Sequence, residues 1–495
     1  MTGIEAGKTW SRVGPEVAPT SSAASGVWTI QEYSENQGAG TWPNPVVAWL
    51  GVFDASFYNQ APFFEGSCCD DQNNVFITSY GTMASLYQGG SVSRITSSGV
   101  MTNTMYQTTP STSGSFSIRD VVFDATDNSL FAVGSQYQNA SGANNRVGVG
   151  KFNEGLTTLA YQINNNSPSQ FQDFGHVNQN GIGVGTSYFN IIGQEYSSSG
   201  YKTILAFGNK SDGARYSSPR EFMNTSSSVS ILGIGCVMAP SQVGYGLARI
   251  SGDVYLYRGG SDGDSTQCRR TDSQLMRPWD IKNKGTSEQV IAGGYGTNGT
   301  STSRAFIVVL NTASKVISWQ KQISLQSTPA SPNEASTYQP SIAVDSSENV
   351  YVAWEEKINS GNYTANVAKY NTSGTLQWVR SLRCTSSTVR FSNKPSLSVS
   401  SDDSFVYLYT DDSSNQQAFL LQLTSDGAGT GATMTLGGHS FILEAPSHQN
   451  AAGALDTFGG TTSTGTYNQG GSTAVATAAN GFTANTVNYL TKAAY

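Results

Sequence analysis

A strand–turn–strand unit recurs about seven times along this 495-residue chain, and few folds can be built from such a repeat. Its clearest copy runs Asn349-Val350-Tyr351-Val352-Ala353-Trp354, then Val367-Ala368-Lys369-Tyr370-Asn371-Thr372-Ser373-Gly374, then Leu376-Gln377-Trp378. Val75-Phe76-Ile77 leads in the same way to Ile95-Thr96-Ser97-Ser98-Gly99, and Leu130-Phe131-Ala132-Val133 to Phe152-Asn153-Glu154-Gly155. Asn190-Ile191-Ile192 leads to Asn209-Lys210-Ser211-Asp212-Gly213, and Val290-Ile291-Ala292 to Leu310-Asn311-Thr312-Ala313-Ser314. Val406-Tyr407-Leu408 leads to Leu423-Thr424-Ser425-Asp426-Gly427. The turns end at 99, 155, 213, 314, 374 and 427, and Gly259-Gly260-Ser261-Asp262-Gly263 fills the one double-length gap. Seven copies at about 50–60 residues match the period of propeller blades, not that of helical solenoids.

Each half of the unit has a physical reading. Short runs of Val, Ile, Phe and Tyr bounded by Gly, Asn, Asp and Ser read as strands. The Asn-Thr-Ser-Gly and Ser-Asp-Gly pieces supply the positive-φ residue that a tight antiparallel connection needs. One four-stranded unit leaves faces and edges exposed, whereas packing seven around an axis buries the faces and shelters the edges. No run shows apolar spacing at i, i+3, i+4, i+7 over three turns, so no substantial helix is expected. The fold expected is therefore all-β: a seven-bladed β-propeller of four-stranded antiparallel blades, with N- and C-terminal segments outside it. The fourth copy is the least regular, with its upstream strand expected over Ile231 to Cys236.

The blades are expected near 67–110, 114–165, 171–216, 229–273, 278–325, 338–383 and 390–445. Residues 1–50 carry four of the eight tryptophans (Trp10, Trp28, Trp42 and Trp49) and fit no blade. Residues 446–495 are rich in Gly, Ala, Thr, Ser and Asn, with Asp456 and Lys492 their only charged side chains. So little apolar surface cannot offset the entropy of ordering. This arm is expected to lie along another copy or a partner protein, adding a strand to an exposed edge.

Composition narrows the class. Charged residues make up 12% of the chain, about half the usual share, while 24 Tyr, 21 Phe and 8 Trp argue for order. A net charge of -7 and the absence of any Lys/Arg cluster beyond Arg269-Arg270 argue against a nucleic-acid partner. No stretch approaches the roughly 18 apolar residues of a membrane span, so no membrane insertion is expected. Met1–Trp10 lacks a basic start followed by an apolar core, so no secretory leader is expected there. Cys68, Cys69, Cys236, Cys268 and Cys384 are odd in number, without a C-x-x-C spacing, and read as free thiols.

Chemistry-bearing motifs are few. His176, His439 and His448 have no ligand spacing between them, so no His-built metal site is expected. Asp262-Gly263-Asp264, with Asp272 downstream, reads as turn chemistry in preference to a calcium loop. Asp70-Asp71 and Asp402-Asp403 read as turn acids. Gly7-Lys8-Thr9 lacks the upstream glycine and strand of a P-loop, and no cofactor is expected. Propellers also host glycosidases, which need two converging carboxylates. Asp124, Asp345, Glu355 and Glu356 are the candidates, but nothing in the sequence makes two of them converge. No catalytic residue is assigned.

Gly26-Val27-Trp28-Thr29-Ile30-Gln31-Glu32, followed by Gly38-Ala39-Gly40-Thr41-Trp42-Pro43, resembles a short element of tailed-phage virion proteins. There a G-V-W-[TS]-x-x-E stretch precedes a G-x-W-P turn, beside β-rich modules of tail, fibre or baseplate. Asn36-Gln37 stand where the commoner form has a basic residue, and the match covers fewer than 20 positions. The resemblance implies a non-enzymatic structural component of a virion, assembled in the host cytoplasm. Trp28, Trp42, Pro43 and Tyr33 would dock it to other virion proteins or to copies of itself. The rival from another class is a propeller that binds host surface glycans, and a propeller glycosidase ranks third.

Overall fold

The computed structural model describes residues 49–53, 63–81, 89–107, 115–137, 146–165, 181–197, 200–213, 220–222, 231–250, 253–259, 265–270, 275–296, 304–314, 316–325, 339–359, 362–385, 389, 391, 395–412, 417–428, 433–436, 438–446, 449–452, 455–458, 475–477, 482–485 and 490–494. Residues 1–48 form one unit and 49–495 another, and the described residues all belong to the second. Those residues are all-β, without a helix, and build a β-propeller.

The strands fall into seven antiparallel sheets. Strand β1 (Trp49–Phe53) joins the last of them. Sheet one holds β2 (Phe63–Cys69), β3 (Val75–Gly81), β4 (Gly89–Ile95) and β5 (Met101–Gln107). Sheet two holds β6 (Ser115–Asp124), β7 (Ser129–Tyr137), β8 (Arg146–Asn153) and β9 (Leu159–Asn165). Sheet three holds β10 (Ile182–Val184), β11 (Tyr188–Ser197), β12 (Gly200–Asn209) and β13 (Arg220–Phe222). Sheet four holds β14 (Ile231–Met238), β15 (Gly244–Ile250), β16 (Asp253–Gly259) and β17 (Ser265–Arg270). Sheet five holds β18 (Leu275–Lys284), β19 (Glu288–Gly296), β20 (Arg304–Asn311) and β21 (Val316–Ser324). Sheet six holds β22 (Ser341–Val344), β23 (Val350–Asn359), β24 (Asn362–Tyr370) and β25 (Leu376–Cys384). Sheet seven holds β26 (Ser396–Val399), β27 (Phe405–Asp412) and β28 (Gln417–Thr424), with β1 in fourth place.

The first strand of each sheet touches the first strand of the next: β2 meets β6, then β10, β14, β18, β22 and β26 follow in turn. Strand β26 meets β2 again, so the first strands form a closed circuit about an axis. The apolar core lies between the sheets, because alternate residues of each middle strand point to opposite faces. Phe131 and Val133 face the sheet-three core, whereas Leu130 and Ala132 face that of sheet one. In β1, Leu50 and Val52 pack toward sheet six while Trp49 and Phe53 pack toward sheet one. All five β1 residues are buried.

The N-terminal boundary therefore differs from the expectation. Trp49 and Leu50 belong to the propeller, since the last sheet has only three strands of its own and takes β1 as the fourth. Blade seven was expected over 390–445, but 433–444 pairs elsewhere.

The C-terminal arm is the larger correction, because its described strands pair with the molecule's own sheets. Strands β29 (Thr433–Leu436) and β30 (His439–Glu444) form a hairpin on β25 of sheet six. Strand β31 (Gln449–Ala452) adds to β21 of sheet five, and β32 (Leu455–Phe458) to β17 of sheet four. Strand β33 (Val475–Thr477) adds to β9 of sheet two, and β34 (Phe482–Asn485) to β5 of sheet one. Strand β35 (Leu490–Ala494) adds to β1 of sheet seven. The arm thus runs round the outer edges against the order in which the sheets were laid down. Backbone pairing needs no particular side chain, so a low-complexity sequence can do this.

Candidate functional site

The first strands of two sheets carry a similar stretch: Ile118-Arg119-Asp120-Val121 in β6 and Pro278-Trp279-Asp280-Ile281 in β18. In both, the register shifts by one residue just before the Asp. A bulge of this kind re-aims the side chain that follows it. Asp120 and Asp280 are both buried on strands of the axial circuit, where the Asp120 charge bears on Asp280.

Asp280 accepts the Ser341 hydroxyl at 3.0 Å and the Ile342 amide at 2.7 Å, both from the first strand of sheet six. Ser341 Oγ in turn accepts the Leu397 amide of sheet seven at 3.1 Å, and Ser396 of that sheet meets Ser67 of sheet one at 2.8 Å. Polar contacts at the axis therefore join sheets five, six, seven and one in series. Burial pushes the Asp280 carboxyl up to about 6, against the pull of Lys282 and of its own two hydrogen bonds. Burial also holds the Cys68 and Cys236 thiols well above their ordinary value; the nearby Asp120 adds to this and Lys282 opposes it. Thiols raised in this way are poor nucleophiles.

Of the four carboxylates singled out in the sequence, three have a structural task. Asp124 is ion-paired to Lys210 of sheet three and accepts the Thr126 amide at 3.1 Å. Asp345 closes its own turn by accepting the Asn349 amide and side chain, both at 2.8 Å, and the Tyr351 hydroxyl at 3.1 Å. Glu356 accepts Ser324 Oγ and the Leu325 amide at 2.7 Å each, and the Trp354 indole at 3.0 Å, tying sheet five to sheet six. Glu355, its neighbour, is also buried. The turn acids act as the sequence suggests: Asp70 accepts the Gln72 and Asn74 amides at 2.9 and 2.8 Å. Asp402 accepts the Asn73 side chain of sheet one at 2.8 Å. His439 packs against Phe441. Among the described residues, no three His, Cys, Asp or Glu side chains are grouped to hold a metal. Trp28, Tyr33, Trp42, Pro43, Asp262, Asp264 and Asp272 lie outside the described residues.

A second constellation was missed in the sequence, although its turn glycines, Trp49 and Trp378 were quoted there. Three outer-strand tryptophans each donate their indole N–H to a carbonyl in the next sheet's glycine turn. Trp319 bonds Thr372 O, Trp378 bonds Ser425 O, and Trp49 bonds Ser97 O, each at 3.0 Å. The glycine of each turn lies flat against that ring. A Cβ on Gly374 would sit 2.7 Å from Trp319, and one on Gly427 2.8 Å from Trp378, with φ at +80 and +70. The turn glycine of the repeat thus serves conformation and packing at once. Asn103 plays the part of tryptophan between sheets one and two, donating to Gly155 O at 2.6 Å. Part of the signal was available: Trp319 and Trp378 follow the turns ending at 314 and 374 at nearly the same distance, whereas Trp49 precedes the first repeat.

The turn of sheet one receives three strands of sheet seven at once. Gln422 of β28 donates to Ser97 O at 2.8 Å, Trp49 of β1 donates to the same oxygen, and Lys492 of β35 reaches Ser98 O. This is where the ring closes.

No family model matches the chain. No curated protein matches it either. Among solved structures, a luciferin-regenerating enzyme is similar at 10% identity and a TM-score of 0.32, over 63% of this chain and 91% of that one. A GH32 beta-fructofuranosidase of Bombyx mori, as a mutant in complex with sucrose, is similar at 10% identity and a TM-score of 0.31, over 84% and 96%. The same enzyme without the mutation gives 9% and 0.27 over the same shares. Likeness this distant carries no argument about activity.

Proposed function

We propose that the chain is a seven-bladed propeller serving as a non-enzymatic structural component of a tailed-phage particle, in its tail, fibre or another appendage. The carrying observation is the arm that lies on the outer edges of six of the seven sheets among the described residues. Unpaired sheet edges are templates for uncontrolled strand addition. A disk that covers them with its own chain can be packed at high copy number without edge-to-edge polymerisation. Its specific contacts then fall to its two faces and to residues 1–48. The closed circuit of seven first strands supports the blade count. The segment from Gly26 to Pro43 supports the virion assignment, with Trp28, Tyr33, Trp42 and Pro43 as the docking set. Structural duties of Asp124, Asp345, Glu356 and Asp280 support a scaffold in preference to a glycosidase.

The test is the solution mass of the full-length protein beside a variant lacking residues 1–48, together with binding of both to a mixed glycan array. A defined oligomer, or capture by purified virion proteins, that is lost with residues 1–48 supports the reading. A monomer in both forms that binds glycans through the propeller would replace it with a host-attachment module.

A further inference from the structure

Strand β1 is held on both edges by the far end of the chain. Its register pairs Trp49–Phe53 with Gln422–Ala418 of β28 on one side. On the other side it pairs the same five residues with Ala494–Leu490 of β35. Residues 490–494 therefore close over the strand that follows residues 1–48.

We propose that β35 is a retaining strap: it is the element that keeps β1, and with it the N-terminal segment, attached to the propeller. Three observations converge on this. Covering the second edge of β1 turns it from an edge strand into an internal one, and edge strands are the first to fray. Lys492, in the middle of β35, reaches across to Ser98 O of sheet one, the turn that Trp49 and Gln422 also bond. Trp49 and Lys492 both lie against Gly99, so strap and strand share one seat. The spacing of the arm delivers β35 to that place: four residues separate β33 from β34, and four separate β34 from β35. Links this short reach only the adjacent sheet, at about 3.3 Å per residue. The strap is thus carried to sheet seven by the strands that precede it on sheets two and one.

The consequence for assembly rests on the reading that residues 1–48 dock the protein to its neighbours. Tension on that segment would be borne by β1, and the strap sets how much it bears. The experiment reads retention alone, in the isolated full chain, so its failure leaves the docking reading to the mass measurement above.

Successive amides in a strand point to opposite edges, so Thr491→Pro/Lys492→Pro removes at least one donor facing β1. Hydrogen exchange is measured on the β1 amides that face β28, not those that lose their partner directly. Expected is at least a tenfold rise in their exchange, with the amides of β19 and β20 unchanged as the reference for an intact fold. Lys492→Met, which keeps the backbone pairing and removes only the bond to Ser98, should give a smaller rise in the same amides. Unchanged β1 exchange in the double variant, with β35 shown by its own exchange to be released, would overturn the proposal: β28 alone would then hold the strand.

Discussion

At the scale of single residues, burial decides more than identity. Asp280 is a carboxyl without exposed surface whose pKa is raised from 3.8 to about 6. A raised folded value means the folded state prefers the proton. The contribution to stability is full below about pH 4 and is lost as pH rises through 6. At about 1.4 kcal/mol per unit the ionised form costs about 3 kcal/mol at neutral pH. Asp280→Asn keeps an acceptor for Ser341 and Ile342 and should raise the thermal midpoint at pH 7.5, with the gain vanishing near pH 4. The glycine–tryptophan clasps make the opposite case, where shape is the constraint. Gly427→Ala should cost about 1–3 kcal/mol by adding a Cβ in a left-handed backbone against a ring. In a Trp378→Leu background that cost should shrink toward the backbone component alone, which a double-mutant cycle on denaturation midpoints would show. The positive-φ role of these glycines could be read from the turn sequence. Their packing role could not, because the ring that meets each belongs to a different sheet, 47–53 residues away along the chain from the turn carbonyl it bonds.

Among the elements, the strands that follow the period were legible and those that break it were not. The unbroken apolar runs Val350–Trp354 and Val406–Tyr409 announce middle strands buried on both faces. Strand β1 has the same buried character, but it stands alone before the first repeat, so its sheet could not be assigned from local pattern. The sequence expectation places residues 433–444 in blade seven, which they follow along the chain. The hairpin they form docks instead on sheet six, where Phe441 and Leu443 are fully buried and Phe441 meets Phe419 at 5.2 Å, 64° from parallel. This hairpin anchors the start of the arm by buried side chains, and the described strands after it pair with the sheet edges. Phe441→Ala should therefore cost about 3–5 kcal/mol. It should also raise proteolytic cleavage across residues 445–495 ahead of global unfolding, measured by peptide release during limited digestion.

For the whole molecule, the arm covers the outer edges of six of the seven sheets among the described residues, and the proposed function assigns docking to residues 1–48. Trp28→Ala and Trp42→Ala should each weaken capture by virion partners by about 2 kcal/mol, roughly thirtyfold, while the thermal midpoint of the propeller stays unchanged. Equal loss of stability in both variants would place these tryptophans in the protein's own packing instead. What the sequence determined by itself is the class: period, short apolar runs and turn chemistry are local properties, and together they leave a propeller as the economical way to bury a series of similar units. The tertiary structure alone decided which edges β1 and the C-terminal strands cover and which carboxylates are buried on the axial circuit. Strand pairing is made by the backbone, which is the same at every residue, so composition cannot say where a low-complexity arm will lie. Asp120 and Asp280 stand 160 positions apart in sequence, and only the fold brings the Asp120 charge to bear on Asp280.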